Sequence, residues 1–203
     1  MTLSSEIAAS EEDRARANFY ALLSRLLRAG PDAALLASIA ASEEALKGEA
    51  ESPLAEAWRA LARICADANA AAVQQEYTEV FVGTGQAPVT PYCSHYLVES
   101  GPEKVLVRLR EELAGLGLAR VPSTHEPEDH IAALLETMRH LVLSERGDDV
   151  PKRQSGVFEH YLEPAYPRFC EAVGRCPGAR FYAIVVRVLR EFLEVESEAL
   201  RMV

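Results

Sequence analysis

The residues with the most chemical potential in this chain are Asp129 and His130, within the run Glu126-Pro127-Glu128-Asp129-His130. A carboxylate beside an imidazole can orient the ring and set its tautomer, an arrangement suited to general acid–base work. The same residues have two uses that involve no catalysis. If Pro127 starts a helix, Glu126, Glu128 and Asp129 fall at its first turn, where negative charge offsets the positive end of the macrodipole by a few tenths to about 1 kcal/mol. Asp129 or His130 can also bond the backbone of a neighbouring loop and pin it, or touch a partner directly. Residue chemistry alone leaves these readings open, including that of a small all-helical hydrolase or metal-dependent enzyme centred on Asp129-His130.

Other groups with reactive side chains point less far. Glu126 and His130 stand at i, i+4, as do Glu136 and His140, so each pair could share a helix face. The pairs lie ten residues apart, about 15 Å along a helix, so they do not share one ion. The Glu-x-x-His spacing of helical di-iron bundles is absent at both places. The cysteines are Cys65, Cys93, Cys170 and Cys176, with no C-x-x-C pair, which speaks against a zinc site or a redox dithiol and for free thiols in a reducing compartment. Cys93, Ser94 and His95 are nucleophile and base types, but sequence neighbours rarely form such a pair. No G-x-S-x-G elbow occurs, and Gly83-x-Gly85 lacks the Lys-Ser or Lys-Thr and the strand of a phosphate loop. The expectation is therefore no catalytic residue, no metal and no cofactor.

The second informative stretch is Glu76 to Tyr96, EYTEVFVGTGQAPVTPYCSHY. Val73, Tyr77, Val80 and Phe81 fall on one apolar helical face, and Gly83 ends the helix. Gly83, Gly85, Pro88 and Pro91 then give a connection that is neither helix nor regular strand. It carries Val89, Tyr92, Cys93, Tyr96 and Leu97, which favour packing over water. A long, partly apolar loop of this kind is more often functional than a short polar one.

Together the two stretches resemble the TorD/DmsD group of cytoplasmic chaperones for molybdenum-containing redox enzymes. That family typically shows E-Y-x-x-L-F-x-G, a Pro-rich turn with an aromatic-x-Ser, then E-P-x-D-H. This chain has Glu76-Tyr77, Phe81, Gly83, Pro91-Tyr92-Cys93-Ser94 and an intact Glu126-Pro127-Glu128-Asp129-His130. It departs at Val80, where the family often has Leu, and at Tyr92, where some members have Trp. Both changes keep an apolar or aromatic residue.

The resemblance implies a compact all-α, TorD-like bundle of about eight to ten helices. It implies a non-enzymatic, cytoplasmic chaperone that binds the twin-arginine signal peptide and the apo-form of a molybdopterin-dependent oxidoreductase subunit, aiding cofactor insertion before export. The partners implied are that catalytic subunit and its signal peptide. The oligomeric state implied is a monomer or a dimer that exchanges lobes. The residues expected to bind the client are Tyr77, Phe81, Gly83, Pro91, Tyr92, Ser94, Tyr96, Glu126, Asp129 and His130. In this reading the four aromatics line an apolar groove, with plain core as the alternative. The carboxylates attract the arginines.

Composition agrees with such a protein. At 203 residues with 49% hydrophobic residues, the chain can bury a sizeable core as one all-helical domain. Two lobes, 1–117 and 126–203, joined by an extended link from Leu118 to His125, are the variant to keep open. A formal net charge of −10 speaks against nucleic acid and suits a basic partner or plain solubility. The N-terminal residues lack the basic and apolar regions of a signal peptide, and no apolar run approaches the roughly 20 residues of a membrane span.

Helix starts are expected at Ser10, Asp32, Ser52-Pro53, Gly101-Pro102 and Pro127, from cap chemistry and proline placement. A break or kink is expected at Asn69. Stops are expected at Gly30-Pro31, Gly115 and Gly117, and Gly147-Asp148-Asp149. The clearest apolar rhythm is Phe181, Ile184, Val185, Val188, Leu189, Phe192 and Leu193 near the C-terminus.

Overall fold

The computed structural model describes residues 10–43, 51–97, 101–119, 127–144 and 150–202. The expected link around Leu118 to His125 lies largely outside these residues, as do Glu126 and the Gly147-Asp148-Asp149 break. The described residues form the all-α architecture expected. Its only strand-like pairing is an isolated antiparallel bridge between Tyr92 and His130.

Each early helix starts where a short polar side chain satisfies an amide that the helix itself leaves orphaned. Helix α1, Glu11–Arg28, follows Ser10, whose hydroxyl accepts from the Asp13 amide at 3.0 Å. Helix α2, Ala33–Ala41, follows Asp32, which accepts from Leu35 at 2.7 Å. Helix α3, Pro53–Asp67, has Ser52 as its cap and proline in the position where no amide is missed. At Asn69 the chain breaks and restarts as α4, Ala70–Tyr77, with the Asn69 side chain accepting from Ala71 and Ala72. Helix α4 runs on into a π turn, Thr78–Val82.

Helix α5, Pro102–Gly115, is followed by α6, Ile131–Ser144, and α7, Val150–Val157. A second π turn, Phe158–Leu162, extends α7; then come α8, Tyr166–Arg175, and α9, Phe181–Arg201. Helix α6 corrects one expectation: it begins at Ile131, not at Pro127. His130 is held in the bridge to Tyr92, and its amide closes a tight turn onto the Pro127 carbonyl at 3.3 Å. Glu128 and Asp129 therefore precede the helix instead of lying in its first turn.

Helix α1 packs along α6, and α9 is flanked by α3 and α8. Their apolar faces merge into one core that includes Tyr20, Leu23 and Leu27, Leu134, Leu135 and Met138, and Tyr182, Val185 and Leu189. Burying a side chain of this size contributes roughly 1.5–3 kcal/mol, so this shared face is the main support of the fold. Ring contacts join its ends: Tyr20 meets Phe192 edge-on at 4.8 Å, and Phe81 meets Tyr182 edge-on at 5.0 Å. Burial also pushes the Cys65 thiol up to about 11, as expected of a structural cysteine. Among the described residues no helix is long and apolar enough to cross a membrane.

One polar cluster interrupts this apolar interior. Glu196 of α9 is 2% exposed and accepts from Arg16 Nε and Nη2 at 2.8 and 2.9 Å. It also accepts from the Tyr20 hydroxyl at 2.8 Å, and Arg16 Nη2 reaches Gln154 of α7 at 3.1 Å. Burial and the neighbouring carboxylate hold the Tyr20 phenol well above its usual range, so it stays a donor. Removing one member of a buried pair strands the other charge and costs about 3–5 kcal/mol. Arg16→Ala is expected to lose that much in urea unfolding; a loss under about 1 kcal/mol would show that water reaches Glu196.

Candidate functional site

The site is built from two segments that meet at the start of α6. The first leaves α4 through its π turn, closed by the Gly83 amide on the Thr78 carbonyl at 2.7 Å. Gly83 has φ +67°, and a Cβ there would lie 2.7 Å from the Gln86 carbonyl oxygen, so only glycine fits this corner without displacing backbone. The chain then folds back, and the Val89 amide donates to the Val80 carbonyl at 3.1 Å, which buries Val89.

The second segment is Pro127 to His130. Pro91 accepts from the Ile131 amide and the Cys93 amide donates to the Asp129 carbonyl, each at 2.8 Å. The Ser94 amide donates to Asp129 Oδ2 at 3.3 Å. His130 Nδ1 accepts from the Ala132 amide at 3.1 Å, and the His130 carbonyl accepts from Ala133 and Leu134 at 2.8 and 3.1 Å. The loop carbonyl and His130 thus supply acceptors for the first four amides of α6, the groups a helix leaves unsatisfied. A tautomer with Nδ1 accepting carries its proton on Nε2.

The ten sequence-expected residues separate into distinct settings. Tyr77 and Phe81 are core side chains: the Tyr77 hydroxyl donates to the Arg28 carbonyl at 2.7 Å, and Phe81 packs against Phe169 and Tyr182. Gly83 makes the corner. Pro91, Ser94, Asp129 and His130 are buried at the junction, with Asp129 1% and His130 2% exposed. Tyr92 is half-buried, its ring edge-to-face with that of His130 at 5.5 Å. Tyr96 is largely buried, anchored by its hydroxyl to the Thr90 carbonyl at 2.8 Å. Glu126 lies outside the described residues.

This geometry directs Asp129 and His130 toward backbone amides: Oδ2 takes Ser94 and Nδ1 takes Ala132. Asp129 Oδ1 is buried with no hydrogen-bond partner among the described residues. Burial, reinforced by the nearby Asp129 carboxylate, pushes the Cys93 thiol far up, so no thiolate nucleophile forms near neutral pH. Among the described residues no group of three or more His, Cys, Asp or Glu side chains could hold a metal ion.

Three features of the site escaped the sequence reading. Glu76 of the motif stretch accepts from the Tyr182 amide at 2.9 Å and so serves the start of α9. Arg110 of α5 donates from Nε and Nη2 to Glu128 Oε2 at 3.1 and 3.0 Å. A cleft of about 740 Å³ opens beside the end of the loop, lined by Tyr96, Leu97, Val105, Arg108, Glu112, Glu159, His160, Tyr161, Pro164 and Arg168. Within it Glu112 Oε2 accepts from the Tyr161 hydroxyl at 2.9 Å, and Arg168 holds the Tyr96 carbonyl at 2.9 Å. All three depend on pairs distant in sequence, for which periodicity carries no signal.

The family model described as nitrate reductase delta subunit matches residues 47–171, which contain both motif stretches. The chain belongs to that family. Among curated proteins it is 25% identical over 131 residues to the chaperone protein TorD of Vibrio parahaemolyticus, covering 60% of this chain and 61% of that one. It is 28% identical over 134 residues to the TorD of Aliivibrio fischeri, covering 62% of each. The chain thus spans somewhat over three-fifths of the length of these relatives. In fold it is similar to a solved structure from Archaeoglobus fulgidus, titled as a candidate redox enzyme maturation protein. There the TM-score is 0.58 and the identity 21%, over 95% of this chain and 99% of that one. The TorD/DmsD resemblance drawn from the two motifs is borne out.

The capping role of His130 yields a measurable expectation. His130→Ala removes the acceptor for Ala132 and the ring under Tyr92, and should cost about 0.5–2 kcal/mol in urea unfolding. Against a typical total of about 5–15 kcal/mol the fold survives, with its helical circular dichroism kept. Unchanged stability would mean that the cap is idle.

Proposed function

We propose that this protein is a cytoplasmic maturation chaperone for a molybdopterin-dependent oxidoreductase. It binds the twin-arginine signal peptide and the apo-form of the catalytic subunit, and keeps both until the client's cofactor is inserted. The observation that carries the reading is the family match across both motif stretches, supported by relatives named as TorD chaperones. The geometry is compatible with a binding module. Asp129 Oδ2 and His130 Nδ1 each accept a backbone amide and hold a loop against a helix start, which supports a role in shaping a recognition surface.

In this reading the peptide lies along the outer side of the pinned loop. Tyr92, half-buried beside the His130 ring, offers its aromatic side chain at the junction. The apolar stretch of the signal peptide enters the cleft beside Tyr96 and Leu97, against its apolar members Val105, Tyr161 and Pro164, with Arg108, Glu112, Glu159, His160 and Arg168 completing the wall. Helix-in-groove or extended docking would both use such a surface, with a few aromatic anchors carrying most of the affinity. Tyr77 and Phe81 act from beneath, by setting the course of the loop from the core. The overall negative charge assists approach of a basic peptide and makes association salt-sensitive.

Calorimetry with the client's signal peptide, and with versions altered in the paired arginines or in the apolar stretch, tests this. Each alteration is expected to weaken binding. Tyr92→Ala is expected to lose about 1–2 kcal/mol, the scale of a partly exposed aromatic anchor. Equal affinity for all three peptides, or binding indifferent to Tyr92→Ala, would overturn the proposed surface.

A further inference from the structure

The turn that precedes α6 already holds a guanidinium, and it comes from this chain. Arg110 places two donors on one oxygen of Glu128 at 3.1 and 3.0 Å, and the two side chains differ in exposure: 52% for Arg110 and 13% for Glu128. The next residue, Asp129, is almost wholly buried and keeps Oδ1 without a hydrogen-bond partner among the described residues. Of these two successive carboxylates, the first is met from α5 by Arg110, an arginine whose side chain is half exposed. A buried carboxylate oxygen is ordinarily satisfied, so the unmatched one marks a place where a further donor would be welcome.

We infer that Arg110 is an internal stand-in for a cationic side chain of the client, seated on Glu128 when no peptide is bound and displaced when an arginine of the peptide arrives. The inference rests on the reading above that the partner carries arginines. The exchange swaps one guanidinium for another, so it costs little by itself, and Arg110 can swing into water because its side chain is already half exposed. The stand-in also gives selectivity. A cation that brings no other contacts merely competes with Arg110, whereas a peptide that also fills apolar surface displaces it. Arg108, two positions earlier, lines the cleft from the other side of the same helix, so α5 separates the two halves of the proposed surface.

The test compares the unaltered protein with Arg110→Ala and Arg110→Lys. The probe is a synthetic peptide carrying Arg-Arg before a Leu/Ala-rich stretch; one control has both arginines changed to alanine, another has serines in place of the leucines. Arg110→Ala should bind the arginine peptide roughly five- to tenfold tighter at low salt, with Arg110→Lys in between and no gain for the alanine control. Equal or weaker binding by Arg110→Ala, with helical circular dichroism intact, overturns the inference, and so does an equal gain for the alanine control. If the serine control binds as well as the parent while the Arg110→Ala gain persists, the signal-peptide reading fails and the stand-in role survives. If the unaltered protein binds the arginine peptide selectively and Arg110→Ala brings no gain, the stand-in role alone fails.

Discussion

The structure turns on a two-bond exchange between backbone groups: Ile131 donates to Pro91, and Cys93 donates to Asp129. Each side solves a problem for the other. His130 serves the Ala132, Ala133 and Leu134 amides of α6, and the loop delivers the Pro91 carbonyl to the first amide, Ile131. The loop has prolines at 88 and 91 and no regular partner, and the helix start gives it a fixed edge to lie against. Asp129 and His130 tighten the exchange by taking one amide from each side, Ser94 and Ala132. Of the uses open to a carboxylate beside an imidazole, the geometry displays the pinning of a loop by bonds to backbone amides.

Other parts of the molecule keep that exchange in place. Ser24 of α1 donates to the Ala132 carbonyl at 2.7 Å, tying the start of α6 to its main packing partner. Glu76 serves the start of α9, while Tyr77 and Phe81 press on Tyr182 of the same helix, so the motif stretch is bound to the core at its head as well as at its tail. The π turn puts Val80 and Phe81 inward and leaves Val82 outside, just before the glycine corner. Single-turn π insertions of this kind recur at functional sites because they reset the facing of the residues that follow.

Much of the fold was legible because its signals are local. Ser10, Asp32 and Ser52-Pro53 announce helix starts through bonds that span only three residues, and the rhythm from Phe181 to Leu193 matches the buried face of α9. The start of α6 was misplaced for a physical reason. Pro127 followed by carboxylates is good helix-start chemistry, but His130 is drawn into pairing with Tyr92, a contact across nearly forty residues. The π turns share the apolar spacing of an ordinary helix and were not foreseen. Arg16 with Glu196, and Arg110 with Glu128, gave no sign at all, since nothing in a surface-like charge shows that folding will bring it a partner.

The central claim is that loop and helix start form one cooperative unit, on which any recognition by this face depends. Native-state hydrogen exchange at the Cys93, Ser94 and Ile131 amides measures it directly. The account predicts that all three are protected and open with a common free energy, and that Asp129→Ala speeds exchange at Cys93 and Ile131 along with Ser94, although only the Ser94 amide bonds the lost carboxylate. Cys93 exchanging at the rate of an unfolded chain while Ile131 stays protected would show that the loop is free of the helix, and would contradict the account.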